Sequence, residues 1–310
     1  MNVIQSLINK AFVNSEKATI IPIHRLQNVR NEIDQFKHNE KLNGFQKWIV
    51  DDLYTFDVPN VGFSVKSIIL IAIPHPLYAN VEFVYGDRTY NFLSPVMSDF
   101  ENTENDLKKG LSSLKYQVAA ASKIPLKRLA VQSGLAVYGK NNISYIDEMG
   151  SNFSFVGYYS DIPCDDAYWT DVTMASECTN CNACLNNCPT QAIQKGRFLI
   201  DNERCLSYLN ESGEPFPDWL PNTVHHCVYD CLKCQIVCPM NKEQKNNVVG
   251  PIRFTESETN NLISGVGFED DSDSFQKKAK YLGFHQWPDG IAKNIKVLIE
   301  VGNQENILTS

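Results

Sequence analysis

Apolar residues change their spacing several times along this chain, and each change predicts an element. Val65 to Ile73 is an unbroken, β-branched run closed by Pro74 and Pro76, the pattern of a buried strand. Val81-Glu-Phe-Val-Tyr85 and Thr89-Tyr-Asn-Phe-Leu93 alternate on either side of Gly86-Asp87, which predicts a hairpin. Leu107, Leu111, Leu114 and Val118 recur at helical spacing, with Thr103-x-x-Asp106 as a weak cap. A shorter helix is expected to start with Pro125 at its first position and stop at Gly134. Phe153 to Tyr159 reads as another strand. Beyond Gly250 the pattern turns helical: Thr255-x-x-Glu258 is a capping box, and Ile291, Ala292, Ile295, Leu298 and Ile299 form a stripe behind Asp289. The chain after Gly302 is expected to fray.

Strands mixed with helices predict an α+β or α/β arrangement for the first half. Within it, Ser133-Gly-Leu-Ala-Val-Tyr-Gly-Lys-Asn-Asn142 is unusual, with two glycines, a lysine and paired asparagines between structured stretches. Gly134 and Gly139 read equally well as helix stop and turn or as part of a site. Gly150-Ser151 opens the run that follows.

Length and charge narrow the classes. A chain of 310 residues accommodates two domains, or one with an appendage. A formal net charge of −8 gives no global attraction to nucleic acid or an anionic membrane. The first 19 residues lack the apolar core of a secretory signal. The longest apolar run, Ile68 to Ile73, is too short to cross a bilayer. A cytoplasmic protein without membrane contact is expected.

The cysteines change the picture most. Nine of ten lie between Cys178 and Cys238. The first run is Cys178-x2-Cys181-x2-Cys184-x3-Cys188-Pro189, and the second is Cys231-x2-Cys234-x3-Cys238-Pro239. This is the ligand pattern of two 4Fe–4S clusters in which the last Cys of each run serves the other cluster. Three closely spaced thiolates wrap three irons, and the fourth comes from elsewhere. Cluster one is assigned to Cys178, Cys181, Cys184 and Cys238. Cluster two has Cys188, Cys231 and Cys234, and lacks the Cys a plain ferredoxin carries at the position of Val228. Cys205 and Cys227 are both candidates, and spacing does not separate them. Zinc suits Cys-x2-Cys units but not paired runs each closed by Cys-Pro. Cys164 reads as a buried structural thiol. His225-His226 reads as packing or hydrogen bonding around cluster two, and His75 as structural.

Cys188-Pro-Thr-Gln-Ala-Ile193, Arg204-Cys-Leu-Ser-Tyr-Leu-Asn-Glu211 and Cys234-Gln-Ile-Val-Cys-Pro-Met-Asn241 resemble the double-cluster region of the epoxyqueuosine reductases. Ser133 to Asn141 is similar to that family's Ala-Gly-Leu-Gly-Trp-x-Gly-Lys stretch. The resemblance implies Cys205 as the extra cluster-two ligand. It implies a nitroreductase-like α/β domain over 1–165 that binds a corrinoid, a bacterial-ferredoxin-like double-cluster domain over 166–250, and a short helical C-terminus over 251–310. It implies Gly134, Gly139, Lys140, Asn141, Gly150 and Ser151 as cofactor-binding residues. Two features depart from it. Where the family has an acid thought to donate a proton, this chain has Ala121-Ser-Lys-Ile-Pro125, and its Trp is replaced by Val137. A proton donor is therefore sought among Tyr138, Lys140 and Tyr145, with Tyr138 and Lys140 as the catalytic candidates, weighed against core packing for the first and a solvated charge for the second.

The expected function is an iron–sulfur oxidoreductase passing single electrons through two clusters, supplied by a donor such as ferredoxin or flavodoxin. A bound corrinoid (cobalamin) would reduce a small-molecule or corrinoid-linked substrate. Two alternatives stand beside it: a ferredoxin-like electron-transfer protein without its own corrinoid, and an epoxyqueuosine reductase acting on tRNA. The missing acid and the absence of the family's C-terminal repeats count against tRNA.

Overall fold

The computed structural model describes residues 16–39, 41–165, 168–172, 174–265 and 272–308. In chain order the elements begin with β1 (Lys17–Pro22), α1 (His24–Asn39), α2 (Gly44–Trp48), β2 (Ser67–Pro74), β3 (Tyr78–Tyr85) and β4 (Arg88–Ser94). There follow α3 (Phe100–Ser113), β5 (Val118–Ala120), α4 (Leu126–Gln132), β6 (Val137–Tyr138), β7 (Ser144–Tyr145) and β8 (Phe153–Ser160). Three short helices, α5 (Ala183–Asn186), α6 (Leu206–Glu211) and α7 (Lys233–Ile236), span the cysteine-rich stretch. Then come β9 (Val248–Phe254), α8 (Glu256–Ser264), α9 (Asp273–Tyr281) and α10 (Pro288–Leu308). The chain divides into two compact units: Met1–Pro74 with Ser98–Cys181, and His75–Met97 with Asn182–Ser310.

In the first unit β2 lies inside a four-stranded sheet of order β1-β2-β8-β5, antiparallel throughout. Its unbroken apolar run is what a strand covered on both faces requires. Ile69, Ile71 and Ile73 share one face and pack with Leu107 and Leu111 of α3 and Tyr158 of β8. The α3 helix departs from its expected limits at both ends. Its cap is Asp99, whose carboxylate accepts the Asn102 N–H at 3.1 Å, while Thr103 is buried inside the helix. It ends at Ser113, and Lys115 adopts a left-handed φ of 63°. Leu114 is therefore exposed and Val118 belongs to β5, so only Leu107 and Leu111 of the expected stripe share a helical face. Pro125 occupies the cap position before α4, one residue earlier than expected, and Gly134 stops the helix with φ +76°.

The second unit contains a three-stranded sheet of order β4-β3-β9. Tyr85 pairs with Arg88 across the two-residue turn Gly86-Asp87. Gly86 takes φ +59°, the positive value that the first residue of a II′ turn needs. β9 joins β3 in parallel, so strands distant in sequence become neighbours. Phe83 stacks on Phe254 at 5.1 Å between ring centres, and Phe254 on Phe284 at 5.7 Å. Phe275, Ile291, Ile295 and Leu298 close the same core, so the hairpin and the C-terminal helices form one packed body. The expected capping box of α8 is present: Thr255 Oγ1 accepts the Glu258 N–H at 3.3 Å, and the Glu258 carboxylate accepts the Thr255 N–H at 2.8 Å. The expected apolar stripe of α10 is its buried face, and the helix continues past Gly302 to Leu308. Among the described residues, no helix is long and apolar enough to cross a membrane.

Phe254 touches rings on three sides. Phe254→Ala is expected to lower the stability of the second unit by about 3–5 kcal/mol, read as an earlier urea-unfolding midpoint by tryptophan fluorescence.

Candidate metal centre

The two cysteine runs fold alike. A four-residue helix begins two residues after Cys181 and after Cys231, carrying Cys184 and Cys234 respectively, and these helices, α5 and α7, pack on each other within the second unit. Each run then turns away at its Cys-Pro pair. Around Cys231 the backbone is unusual: Asp230 and Leu232 both take left-handed values, φ 59° and 61°. A branched residue is rarely left-handed, and here Leu232 is held there with its side chain buried.

Cys205 lies at the cap position of α6, where its sulfur accepts hydrogen bonds from the N–H groups of Ser207 and Tyr208. Asp230 ties this segment to the second run. Its carboxylate accepts from the Ser207 hydroxyl and, at 3.1 Å, from the Cys231 N–H, while its carbonyl accepts from Asn210 Nδ2 at 2.7 Å. Burial pushes the Cys231 thiol up to about 12, and the nearby Cys205, Asp230 and Cys188 push in the same direction. Cys188 and Cys205 are thus near enough to act electrostatically on Cys231. Cys227 is also close to Cys231, but it is 1% exposed, and burial raises its thiol well above the ordinary range. Cys205 is only partly buried.

All the cysteines are free thiols. Among the described residues, no three His, Cys, Asp or Glu side chains converge on one point, as a lone zinc ion bound at about 2.3 Å by sulfur requires. The corners of a 4Fe–4S cube stand further apart, and buried thiols that repel one another as thiolates suit a cationic iron core. The donor set therefore fits iron–sulfur chemistry.

In the first unit, the glycine turn engages the start of the first run. Tyr138 in β6 accepts the Ala175 N–H at 2.7 Å, three residues before Cys178. The Lys140 N–H points at Cys178 Sγ, 3.4 Å away, and its ammonium donates to the Cys181 carbonyl at 2.6 Å. Lys140 is thus not a freely solvated charge. Tyr138 is buried, and burial together with nearby Tyr54 raises its phenol. Asn141 and Tyr145 are buried and joined by a 2.9 Å bond from Asn141 Nδ2 to the phenol. A Cβ on Gly139 would lie 2.5 Å from the Tyr145 ring, and one on Gly134 would lie 2.6 Å from the Tyr168 ring. Gly150, with φ +61°, and Ser151 are buried as well.

The remaining sequence candidates are accounted for locally. His226 sits between the Val224 and Cys231 carbonyls at 2.8 and 2.7 Å. His225 is buried against Phe216, ring centres 4.3 Å apart, neither ring nitrogen has a hydrogen-bond partner, and burial pushes its pKa down to about 4. His75 Nδ1 lies 2.7 Å from the Pro76 carbonyl, and the Cys164 thiol donates to the Ile20 carbonyl at 3.5 Å.

Sequence reasoning missed the residues that hold the α6 segment. Lys293 of α10 donates to the carbonyls of Leu209, Ser212 and Glu214 at 2.8, 2.6 and 3.0 Å, satisfying the end of α6, and lies 3.9 Å over the Phe216 ring. Asn294, fully buried, donates to the carbonyls of Asn210 and Val228, both at 2.8 Å. A signal for Asn294 existed: it is a polar residue inside the apolar stripe. Asp230 gave none, because its role depends on a left-handed backbone.

A family model described as a 4Fe-4S double cluster binding domain matches residues 177–241. The epoxyqueuosine reductase of Aliivibrio fischeri is 32% identical over 187 residues, covering 60% of this chain and 47% of that protein. That of Atelocyanobacterium thalassa is 27% identical over 205 residues, 62% of this chain and 64% of the relative. The chain thus spans about half to two thirds of the length of these relatives. The solved epoxyqueuosine reductase of Bacillus subtilis has the same fold, with TM-score 0.68 at 18% identity over 96% of this chain and 81% of that one. Another, bound to an epoxyqueuosine-modified tRNA stem loop, gives TM-score 0.65 at 18% identity, with the same coverage of both chains. The chain resembles the epoxyqueuosine reductases as a divergent relative.

Glu211, at the end of α6, has its carboxyl raised to about 7 by burial and by the negative charge of Asp230. The folded state therefore holds a proton that the unfolded chain has released, and stability falls as pH rises from about 4.5 to about 7. Glu211→Gln cannot ionise. It is expected to flatten this part of the profile and to stabilise the protein at pH 8 by up to a few kcal/mol, measured by urea unfolding across pH 4.5 to 8.

Proposed function

We propose that this chain is a cytoplasmic iron–sulfur reductase that acts, like the relatives it resembles, on epoxyqueuosine carried by tRNA. The observation that carries this reading is the double-cluster match over 177–241 inside a chain whose curated relatives are epoxyqueuosine reductases. Cys178, Cys181, Cys184 and Cys238 would hold one cluster, and Cys188, Cys205, Cys231 and Cys234 the other. When bound, the clusters supply electrons one at a time at potentials set by their surroundings, with ferredoxin or flavodoxin as the natural class of donor. The chain's own part is to keep the thiolates ionised and fixed. Hydrogen bonds from Ser207 and Tyr208 to Cys205 favour its ionised form, and the Asp230 link to the Cys231 N–H fixes the backbone there.

The corrinoid that the resemblance implies does not fit the glycine turn. Side chains that would touch a macrocycle are closed over: Asn141 and Ser151 are buried, and the spaces beside Gly134 and Gly139 are filled by Tyr168 and Tyr145. A corrinoid would need other residues than these, and no step is derived through one. Tyr138 and Lys140 serve the cysteine run in this reading rather than a substrate. A second reading, an electron-transfer protein, draws support from Ala121 to Pro125, which contains no acid to donate a proton.

Two outcomes are expected. Anaerobically reconstituted protein with a one-electron donor should remove the epoxide oxygen from a modified tRNA stem loop, followed by mass spectrometry with and without cob(II)alamin. No turnover in either case, with both clusters reducible, would favour electron transfer. Cys205→Ser should lose the iron and the paramagnetic signal of one cluster while Cys227→Ser keeps both, and the reverse result would reassign the ligand.

A further inference from the structure

The two cysteine runs have side chains of opposite charge built into them. At the first run the cation is Lys140. Its N–H points at Cys178 Sγ, and its ammonium is fixed on the Cys181 carbonyl, so charge and N–H donor lie on two cysteines of the same loop. The neighbouring Glu177 is exposed and bound to Ser176, where water screens it. At the second run the anion is Asp230. Its carboxylate accepts from the Ser207 hydroxyl and, at 3.1 Å, from the Cys231 N–H, and the Ser207 N–H in turn bonds Cys205. Two cations lie close in sequence: Lys233 acts on His226, and Arg204, next to Cys205, donates to the Thr190 carbonyl at 3.3 Å and lies over the Trp219 ring.

We infer that Lys140 and Asp230 separate the potentials of the two clusters, Lys140 raising the one bound by Cys178 and Cys181 and Asp230 lowering the one bound by Cys205 and Cys231. The inference rests on the two-cluster reading above. Reduction adds one negative charge to a cluster. A fixed cation and an N–H donor at a ligand sulfur stabilise that added charge, and a fixed anion opposes it. Lys140 and Asp230 are positioning residues here, acting on the clusters through the cysteines rather than on a substrate. A purely structural role for the two side chains predicts the same hydrogen bonds but no directed change in potential.

The test is a redox titration of the reconstituted full chain with dithionite and mediators, each cluster followed by its paramagnetic signal. Lys140→Met should shift one couple only, to lower potential, changing its oxidised-to-reduced ratio at fixed potential about tenfold, or about 59 mV for one electron. Lys140→Arg should leave that couple in place. Asp230→Asn, which keeps the size and a hydrogen-bonding side chain, should shift the other couple by a similar amount to higher potential. If Lys140→Met loses iron, Lys140→Gln retains a donor for the Cys181 carbonyl and is titrated instead. Loss of iron in both, unchanged potentials, or a shift of both couples together would overturn the inference. Wild-type protein showing no pair of clusters would instead overturn the reading on which it rests.

Discussion

A thiolate buried without a counter-charge is unstable, and the second unit gathers several cysteines where burial and mutual repulsion disfavour ionisation. Cys231 is the clearest case, pressed by Cys205, Cys188 and Asp230. Such a site is tolerable in two conditions. Either the thiols stay protonated, or a cationic core receives them as ligands and couples its binding to folding. Free, clustered thiols on paired Cys-Pro runs correspond to the second condition. Much of the surrounding structure acts to hold these sulfurs where they would otherwise repel one another.

That holding is done mainly by backbone and amide groups. Asp230 joins Cys231 to the start of α6, while Lys293 and Asn294 anchor the far end of α6 and the carbonyl of Val228. Because Lys293 and Asn294 sit on α10, the C-terminal helix supports the cysteine segment as well as closing the hydrophobic core. Lys293 supplies donors to three carbonyls at the open end of α6, and burial there pushes its pKa down to about 8.

In the first unit the glycine turn has a similar duty. Gly139 is small because the Tyr145 ring occupies the space of its side chain, and that packing fixes the backbone on which Lys140 reaches Cys178 and Cys181. A lysine that reads in sequence as a solvated charge donates instead to a backbone carbonyl of a cysteine loop. The same packing buries Asn141, which donates to the Tyr145 phenol.

How much was legible follows from the range of each interaction. The strand at Ile68 to Ile73, the II′ hairpin at Gly86, the capping box at Thr255 and the stripe of α10 depend on neighbours a few residues away, so the order of residues determined them. The paired cysteine runs were equally plain, because an iron–sulfur cube imposes its spacing on a short loop. Where α3 stops was not legible: Leu114 and Val118 continue its period, and the left-handed turn at Lys115 and the sheet pairing of β5 override it. Nor was the parallel pairing of β9 with β3, or the meeting of Lys140 with Cys178, since those partners are far apart in sequence. Sequence alone set the chemistry of the ligands and the local elements. Only the tertiary structure decided which distant charges and amides surround the sulfurs, because that depends on how the chain folds back on itself.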